Sequence, residues 1–170
     1  MGGPLITKIA DNIISPLGFN SEENFKAVLS GKSMLRSYAA EFGLHEPFVG
    51  SRFNKHEIEG LLNNEIAENE DYTFFEKLCI VSAKKAIESC HLSAGESNVI
   101  FILSTTKGNI DYLEKTLEDP RCYLASSAQK IATYFGNHNT SIVVSNACIS
   151  GVCAQIAAVR ELLSGKYRYA

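Results

Sequence analysis

The chain has no cluster of lysines and arginines, and its net charge is −3. A nucleic-acid-binding face needs concentrated positive charge, so this composition argues against nucleic acid as a partner. No apolar run approaches the roughly 20 residues of a membrane-spanning helix. The N-terminus, MGGPLITKIADN, has no charged segment followed by an apolar stretch and a cleavage site, and therefore shows no secretory signal. We expect neither nucleic acid nor a membrane among the partners.

Spacings typical of metal sites are also missing. The sequence has five cysteines without a C-x-x-C pair, and its four histidines are scattered. A zinc site needs clustered ligands, so we expect no metal ion and no other cofactor. An odd number of cysteines without a secretory signal is typical of a reducing, cytoplasmic compartment.

The remaining composition is that of an ordinary globular domain. Apolar residues make up 45% of the 170 residues and charged residues 21%, which suffices for one domain with its own core. Hydrophobic periodicity predicts strands over 4–10, 98–105 and 141–145; helices from Ser21 to Gly31, over about 54–64, over 71–90, near 109–118, around 128–135 and from about Ile149 to Leu163; and irregular chain over 32–53.

Strands alternate with helices in this prediction, which indicates an α/β fold with a mostly parallel sheet and helices on both faces. The runs VIFIL and IVV are continuously apolar, as expected of strands covered on both faces. The sequence ends on YRYA, which has the pattern of another strand's first residues. Because such a sheet rarely stops there, we expect residues 1–170 to be the front part of a longer protein.

The last predicted helix has an apolar side and many small residues on its other sides. Ile149, Val152, Cys153, Ile156 and Leu163 form the apolar side. A helix that is small or apolar on several sides can approach its neighbours closely, so we expect it to be buried.

The segment VVSNACISG places Cys148 between the strand over 141–145 and this last helix. A thiol at a helix N-terminus faces the positive end of the helix dipole and unpaired backbone N–H groups, which favour the thiolate. The same N–H groups can stabilise the oxyanion that forms when a thiolate attacks a thioester carbonyl. The position is therefore typical of a nucleophile.

The other interpretation of a free cysteine is a buried residue that fills space. Cys79, Cys90 and Cys153 lie on apolar helix faces and fit that role, and Cys122 lies in a loop next to a proline. On spacing alone, Cys148 fits a nucleophile and a space-filling residue equally well.

The segment VVSNACISGVCAQIAAVRELLSGK resembles the nucleophile segment of the β-ketoacyl-acyl-carrier-protein synthases, condensing enzymes of the thiolase fold. That pattern is a short strand, Ala-Cys, a small residue, Ser-Gly and an Ala-rich helix that ends in Gly. Further similarity lies in ITKIADNIISPLGFNSEENFKAVLSGKSML, in KAIESCHLSAGESNVIFILSTTKGN and in SSAQKIATYFGNHNTSIVVSNAC. These segments follow the family's order and cover nearly the whole chain.

The resemblance implies the N-terminal half of a thiolase-like fold and a decarboxylative Claisen condensation in fatty-acid or polyketide-like synthesis. Cys148 corresponds to the nucleophile that takes an acyl group from an acyl carrier protein or coenzyme A, and its backbone N–H to one oxyanion donor. The covalent thioester would divide a difficult reaction into two easier steps. The SPLG segment favours the β-ketoacyl synthase branch over a thiolase or a chalcone-synthase-like enzyme.

The sequence also departs from the family. Members use two further polar catalytic residues, generally histidines, from their C-terminal half, and nothing in these 170 residues matches those motifs. His138 lies in the turn GNHNT and is expected at the surface rather than as a catalytic base. The second oxyanion donor would also lie beyond residue 170, so we expect this chain alone to be inactive.

A second departure is Lys107 in the loop STTKGN, which resembles a stretch that borders the family's acyl pocket and is usually apolar there. A lysine in an apolar tunnel is costly, so an outward-facing side chain is the preferred interpretation. The alternative is a pocket for a short, polar or unusual acyl chain. Thr105 and Thr106 are candidate pocket residues or structural loop residues.

In the resembling fold, the strand SIVVS pairs with its own copy across a two-fold axis. We therefore expect a homodimer, or a heterodimer with a related subunit. The rival function is a non-catalytic partner subunit of such a heterodimer, although subunits of that kind usually lack the nucleophile. A generic α/β domain with a buried cysteine is the third possibility.

Overall fold

The computed structural model describes residues 5–41, 43–67, 70–114 and 119–170. Within these ranges, the regular elements are the helices α1 (Ser21–Leu29), α2 (Lys55–Glu65), α3 (Phe74–Ser89), α4 (Leu124–Tyr134) and α5 (Ser150–Leu163), and the strands β1 (Leu35–Tyr38), β2 (Phe48–Ser51), β3 (Ile102–Ser104) and β4 (Ile142–Val144). Short 3₁₀ segments cover Ile110–Glu114, Pro120–Cys122 and Ala147–Ile149.

The central feature is the parallel pair formed by β3 and β4. Ile102 lies opposite Ile142, and Ser104 lies opposite Val144. An isolated parallel bridge joins Val99, just before β3, to Tyr169 in the segment YRYA, where the sequence predicts the first residues of another strand. Helix α5 packs against both strands, and α4 contacts β4 and α3. The architecture is therefore mixed α/β, as the alternating pattern predicts.

The hydrophobic core lies between the helices. Its buried members lie in α2, α3 and α4, except for Ile66, which directly follows α2. They are Ile58, Leu62, Ile66, Ile80, Val81 and Ile131. The predicted helix over 71–90 is confirmed as α3. Its most buried apolar residues, Ile80 and Val81, lie outside the apolar face that the sequence spacing predicts, which consists of Phe75, Cys79, Ala83, Ala86 and Cys90. Three members of that face, Cys79, Ala83 and Ala86, instead line an open cleft of about 570 Å³ along β3.

Side-chain caps fix where several helices begin. The Thr73 hydroxyl accepts a hydrogen bond from the Glu76 amide, and the Glu76 carboxylate accepts one from the Thr73 amide, so α3 begins with a complete capping box. Helix α1 is capped by Asn20, whose Oδ1 accepts from the Glu23 amide at 2.9 Å. The sequence favours Ser21 as the cap of this helix, but the cap is Asn20 and Ser21 is the first helical residue.

Three predicted elements differ from the structure. Residues 5–10 contain no strand, because Leu5 is 88% exposed and no neighbouring strand pairs with this segment. The region 32–53 is not irregular but holds the antiparallel pair of β1 and β2, in which Tyr38 and Phe48 stack. The helix predicted near 109–118 is a 3₁₀ segment over Ile110–Glu114, and residues 115–118 lie outside the described ranges.

Helix α5 has the predicted length, and Gly165 follows it with a left-handed φ of 77°. The helix is not buried, because β3 and β4 cover only one side, where Ser150 and Ala154 are buried. The opposite side carries an exposed apolar stripe with members 40–59% accessible: Ile149, Val152, Ile156, Val159 and Leu163. No helix in the described part of the chain is both long and apolar enough to cross a bilayer.

Candidate functional site

Two loops meet at the carboxyl edge of the parallel pair. The loop of residues 105–108 follows β3, and the turn of residues 145–149 follows β4. The Thr105 amide donates a hydrogen bond to the Val144 carbonyl at 3.3 Å, which joins the two loops where they leave the sheet. In parallel sheets, ligands bind at this edge. The structure thus brings Cys148 and the candidate residues Thr105, Thr106 and Lys107 to one end of the sheet.

Cys148 is the middle residue of the 3₁₀ segment Ala147–Ile149, directly before the first turn of α5. Ala147 has a left-handed φ of 46°, a conformation that is strained for a residue with a Cβ. This residue turns the chain sharply from β4 into the helix. The predicted strand–turn–helix location of Cys148 is therefore the observed one, with the cysteine in the turn rather than in the α-helix itself.

The turn is held by its own side chains. The Ser150 hydroxyl donates to the Ala147 carbonyl at 2.8 Å and accepts from the Asn146 amide at 2.7 Å. The Asn146 side-chain amide donates to Cys153 Sγ at 3.5 Å and does not cap the helix. No side chain caps α5 either. The positive end of the α5 dipole therefore faces the Cys148 turn without a competing side-chain acceptor.

Cys148 is the one exposed cysteine of the five, whereas Cys79, Cys90, Cys122 and Cys153 are half-buried. Burial, with a smaller contribution from the Glu76 carboxylate, raises the pKa of the Cys79 thiol to about 11. Cys79 is therefore held as a neutral thiol, in agreement with a structural role. An exposed thiol at the end of a helix dipole is open to an incoming electrophile.

The loop after β3 is organised by Thr105. Its Oγ1 accepts hydrogen bonds from the Lys107 amide at 3.3 Å and from the Gly108 amide at 3.1 Å. Thr105 is half-buried, and Thr106 and Lys107 are exposed. The Thr105 hydroxyl is thus used inside the loop, and Lys107 is in the solvent-accessible position that the sequence interpretation preferred.

Sequence reasoning did not single out Asn109, the residue after this loop. Asn109 is only 4% exposed, and its side chain bonds to Thr73, Glu76 and Ser127, which are also buried. The four residues are far apart in sequence, and each is a polar type that is usually exposed. No spacing pattern therefore signals that they meet.

Other sequence candidates lie away from this edge. His138 is exposed and follows α4 before β4 begins, which places it toward the amino end of β4, opposite Cys148. The lining of the 570 Å³ cleft along β3 includes Cys79 but not Cys148. Within the described ranges, His, Cys, Asp and Glu side chains form no group of three that could hold a metal ion.

Comparison of the chain with models of known protein families and with curated protein sequences found no match. The class of protein that the structure itself defines is a mixed α/β protein with an exposed cysteine at the carboxyl edge of a parallel strand pair.

Proposed function

We propose that the chain is the N-terminal half of a β-ketoacyl-acyl-carrier-protein synthase of the thiolase fold, and that Cys148 is its acyl-accepting nucleophile. One observation carries this proposal: Cys148 is exposed on a strained turn between a parallel strand and an uncapped helix N-terminus. A buried space-filling cysteine requires neither the exposure nor the sharp turn.

The proposed reaction uses the sulfur of Cys148 twice. The thiolate attacks the carbonyl carbon of an acyl thioester, the bond from that carbon to the donor sulfur breaks, and the released thiol of a carrier protein or coenzyme A takes up a proton. A malonyl-type extender then loses CO₂. The electron pair of its broken C–C bond forms a new bond to the acyl carbon, which releases Cys148 as the thiolate. The backbone N–H of Cys148 would stabilise the oxyanion in each step.

The remaining machinery belongs to the rest of the proposed protein. Two polar catalytic residues and a second oxyanion donor are expected from the C-terminal half. The 170-residue chain should therefore accept an acyl group slowly and should not condense it with an extender. The pathway would be fatty-acid or polyketide-like synthesis in the cytoplasm.

We further propose that β4 pairs with a second subunit, either a copy of this protein or a related chain. In the described structure, β4 is hydrogen-bonded to β3 alone, so its other edge has no strand partner. Strand pairing across a two-fold axis is an isologous contact and satisfies such an edge. A size measurement on the longer protein, by sedimentation, tests the dimer.

Mass spectrometry after incubation with an acyl-coenzyme A, and separately with cerulenin, tests the nucleophile. We expect one adduct, located on Cys148 by peptide mapping. Cys148→Ala should lose it, and Cys153→Ala, which removes the other thiol of the same helix, should keep it. An adduct-free Cys148 in the longer protein contradicts the proposal and favours the rival function, a non-catalytic partner subunit.

A further inference from the structure

A buried cluster of four polar side chains lies directly behind the loop of residues 105–108. We propose that Asn109 is a positioning residue, which fixes this loop at the edge of the sheet that carries Cys148 and so sets how an acyl thioester reaches the sulfur. The functional part of this inference rests on the proposed synthase activity, whereas the mechanical part concerns the loop alone.

The cluster joins three parts of the chain. Asn109 Oδ1 accepts from the Thr73 hydroxyl at 2.6 Å, and Asn109 Nδ2 donates to Glu76 Oε1 at 2.9 Å and to Ser127 Oγ at 2.9 Å. Nδ2 also lies 3.1 Å from the Arg121 carbonyl. The Ser127 hydroxyl donates to Glu76 Oε1 at 3.1 Å. One asparagine therefore connects the loop after β3 to the N-terminal turns of both α3 and α4.

This side chain has little freedom to move. Glu76 is 1% exposed and Ser127 is fully buried. Neither side chain can therefore replace its hydrogen bond to Asn109 by one to water unless the structure opens locally. A buried polar group that loses its hydrogen-bond partner destabilises the folded state by its full desolvation free energy. The amide of Asn109 uses both its oxygen and its nitrogen, which fixes its orientation as well as its location.

The constraint passes from Asn109 to the loop through Gly108. Gly108 has a left-handed φ of 53°, and a Cβ placed on it would lie 2.5 Å from Leu124 Cδ2, so the backbone approaches α4 closely at this point. The Gly108 amide is bonded to Thr105 Oγ1, and the Thr105 amide is bonded to the Val144 carbonyl. An unbroken series of contacts thus runs from the buried cluster to the end of β4, four residues before Cys148.

The chain offers a matched control at the opposite edge of the sheet. Asn137 is fully buried, and its Nδ2 donates to the carbonyls of Ala94 at 2.8 Å and Val99 at 3.1 Å. Its Oδ1 accepts from the Asn139 amide at 3.0 Å. Asn137 is therefore as buried and as fully bonded as Asn109, but it holds the amino end of the β3 segment.

The test compares Asn109→Ser with Asn137→Ser in the longer protein. Both variants should lose thermal stability. Only Asn109→Ser should weaken the hydrogen–deuterium exchange protection of the Lys107 and Gly108 amides. It should also lower the acylation of Cys148 by a long-chain acyl-coenzyme A about tenfold, mainly through KM. Alkylation of Cys148 by iodoacetamide, which is too small to need the loop, should change less than about twofold.

Gly108→Ala provides a second perturbation in case Asn109→Ser folds poorly, because it displaces the loop without touching the cluster. It should reproduce the acylation defect. Equal acylation losses in Asn109→Ser and Asn137→Ser, or unchanged amide protection in Asn109→Ser, would overturn the inference. If the unaltered protein takes no acyl group on Cys148, the proposed function fails, and the exchange measurement alone decides whether Asn109 holds the loop.

Discussion

The Ser150 hydroxyl bridges the turn that carries Cys148, because it accepts from the Asn146 amide and donates to the Ala147 carbonyl. Ser150 is 6% exposed and belongs to the first turn of α5. Ser150, two positions after Cys148, therefore holds the backbone of Asn146 and Ala147 in front of the cysteine. This contact explains why a strained left-handed Ala147 persists at this point of the chain.

Ser150→Ala should destabilise the protein by about 1–2 kcal/mol, because one amide and one carbonyl of the turn lose a buried partner. Urea unfolding measures the change. Ser164→Ala is the matched control: Ser164 Oγ also donates to a carbonyl, that of Glu161, and accepts from an amide, that of Lys166, but Ser164 is exposed. Its replacement should cost less than about 0.5 kcal/mol. Equal costs at the two positions would show that Ser150 does not hold the turn.

Ala147→Gly should leave stability unchanged or raise it by up to about 1 kcal/mol. Glycine adopts a φ of 46° without the strain that a Cβ brings, and this gain offsets the greater freedom of the unfolded chain. The control is Ala154→Gly, within α5, which should lose about 1 kcal/mol or more because the residue is helical and buried. Thermal unfolding of the two variants distinguishes them, and a loss at Ala147 as large as at Ala154 contradicts the observed backbone.

Iodoacetamide at pH 8 should alkylate Cys148 at least about a hundredfold faster than Cys79. Cys148 is exposed, whereas a pKa of about 11 leaves Cys79 about one part in a thousand ionised at this pH. Peptide mapping over a time course measures both rates. In urea the two thiols should react at similar rates, which confirms that the difference belongs to the fold. A Cys148 that reacts no faster than Cys79 would instead be a buried space-filling cysteine.

The raised pKa of Cys79 also predicts a dependence of stability on pH. The unfolded thiol ionises near its usual pKa of 9.0 and the folded thiol near about 11, so the unfolded state binds fewer protons between these values. The free energy of unfolding that Cys79 contributes is therefore fully present below pH 9 and is lost as the pH rises to 11. The stability difference between the unaltered protein and Cys79→Ala should therefore fall by about 2 kcal/mol across this range. A constant difference would mean that the Cys79 pKa is the same in both states.

The helices were predictable because their signals are local. The spacing of Phe75, Cys79 and Ala83 identified α3, and Gly165 marked the end of α5. Their faces were less predictable, since the side that becomes buried depends on which neighbours are present. The apolar side of α5 is exposed for this reason, although its composition alone suggested burial.

The missed elements depend on contacts between distant parts of the chain. The β1–β2 pair has mostly exposed side chains, and it is defined by an antiparallel register between two separate segments, which runs from Leu35 opposite Ser51 to Tyr38 opposite Phe48. The segment at 5–10 has the pattern of a strand but no partner. The location of Cys148 followed from its flanking residues, whereas the link from Asn109 to Glu76 spans 33 positions and has no local signal.

The parallel arrangement of β3 and β4 also determines when the site can exist. Parallel neighbours require a crossover, and here the whole of α4 lies within it. Closing such a connection is slow compared with forming a helix. The conformational entropy of the connecting segment is lost before any stabilising contact between the strands forms. We therefore expect Cys148 and the loop of residues 105–108 to stay apart in a nascent chain until the crossover has docked. We therefore expect the edge of the sheet that carries Cys148 to assemble late in folding, so a molecule that misfolds before this step exposes the thiol without its native neighbours.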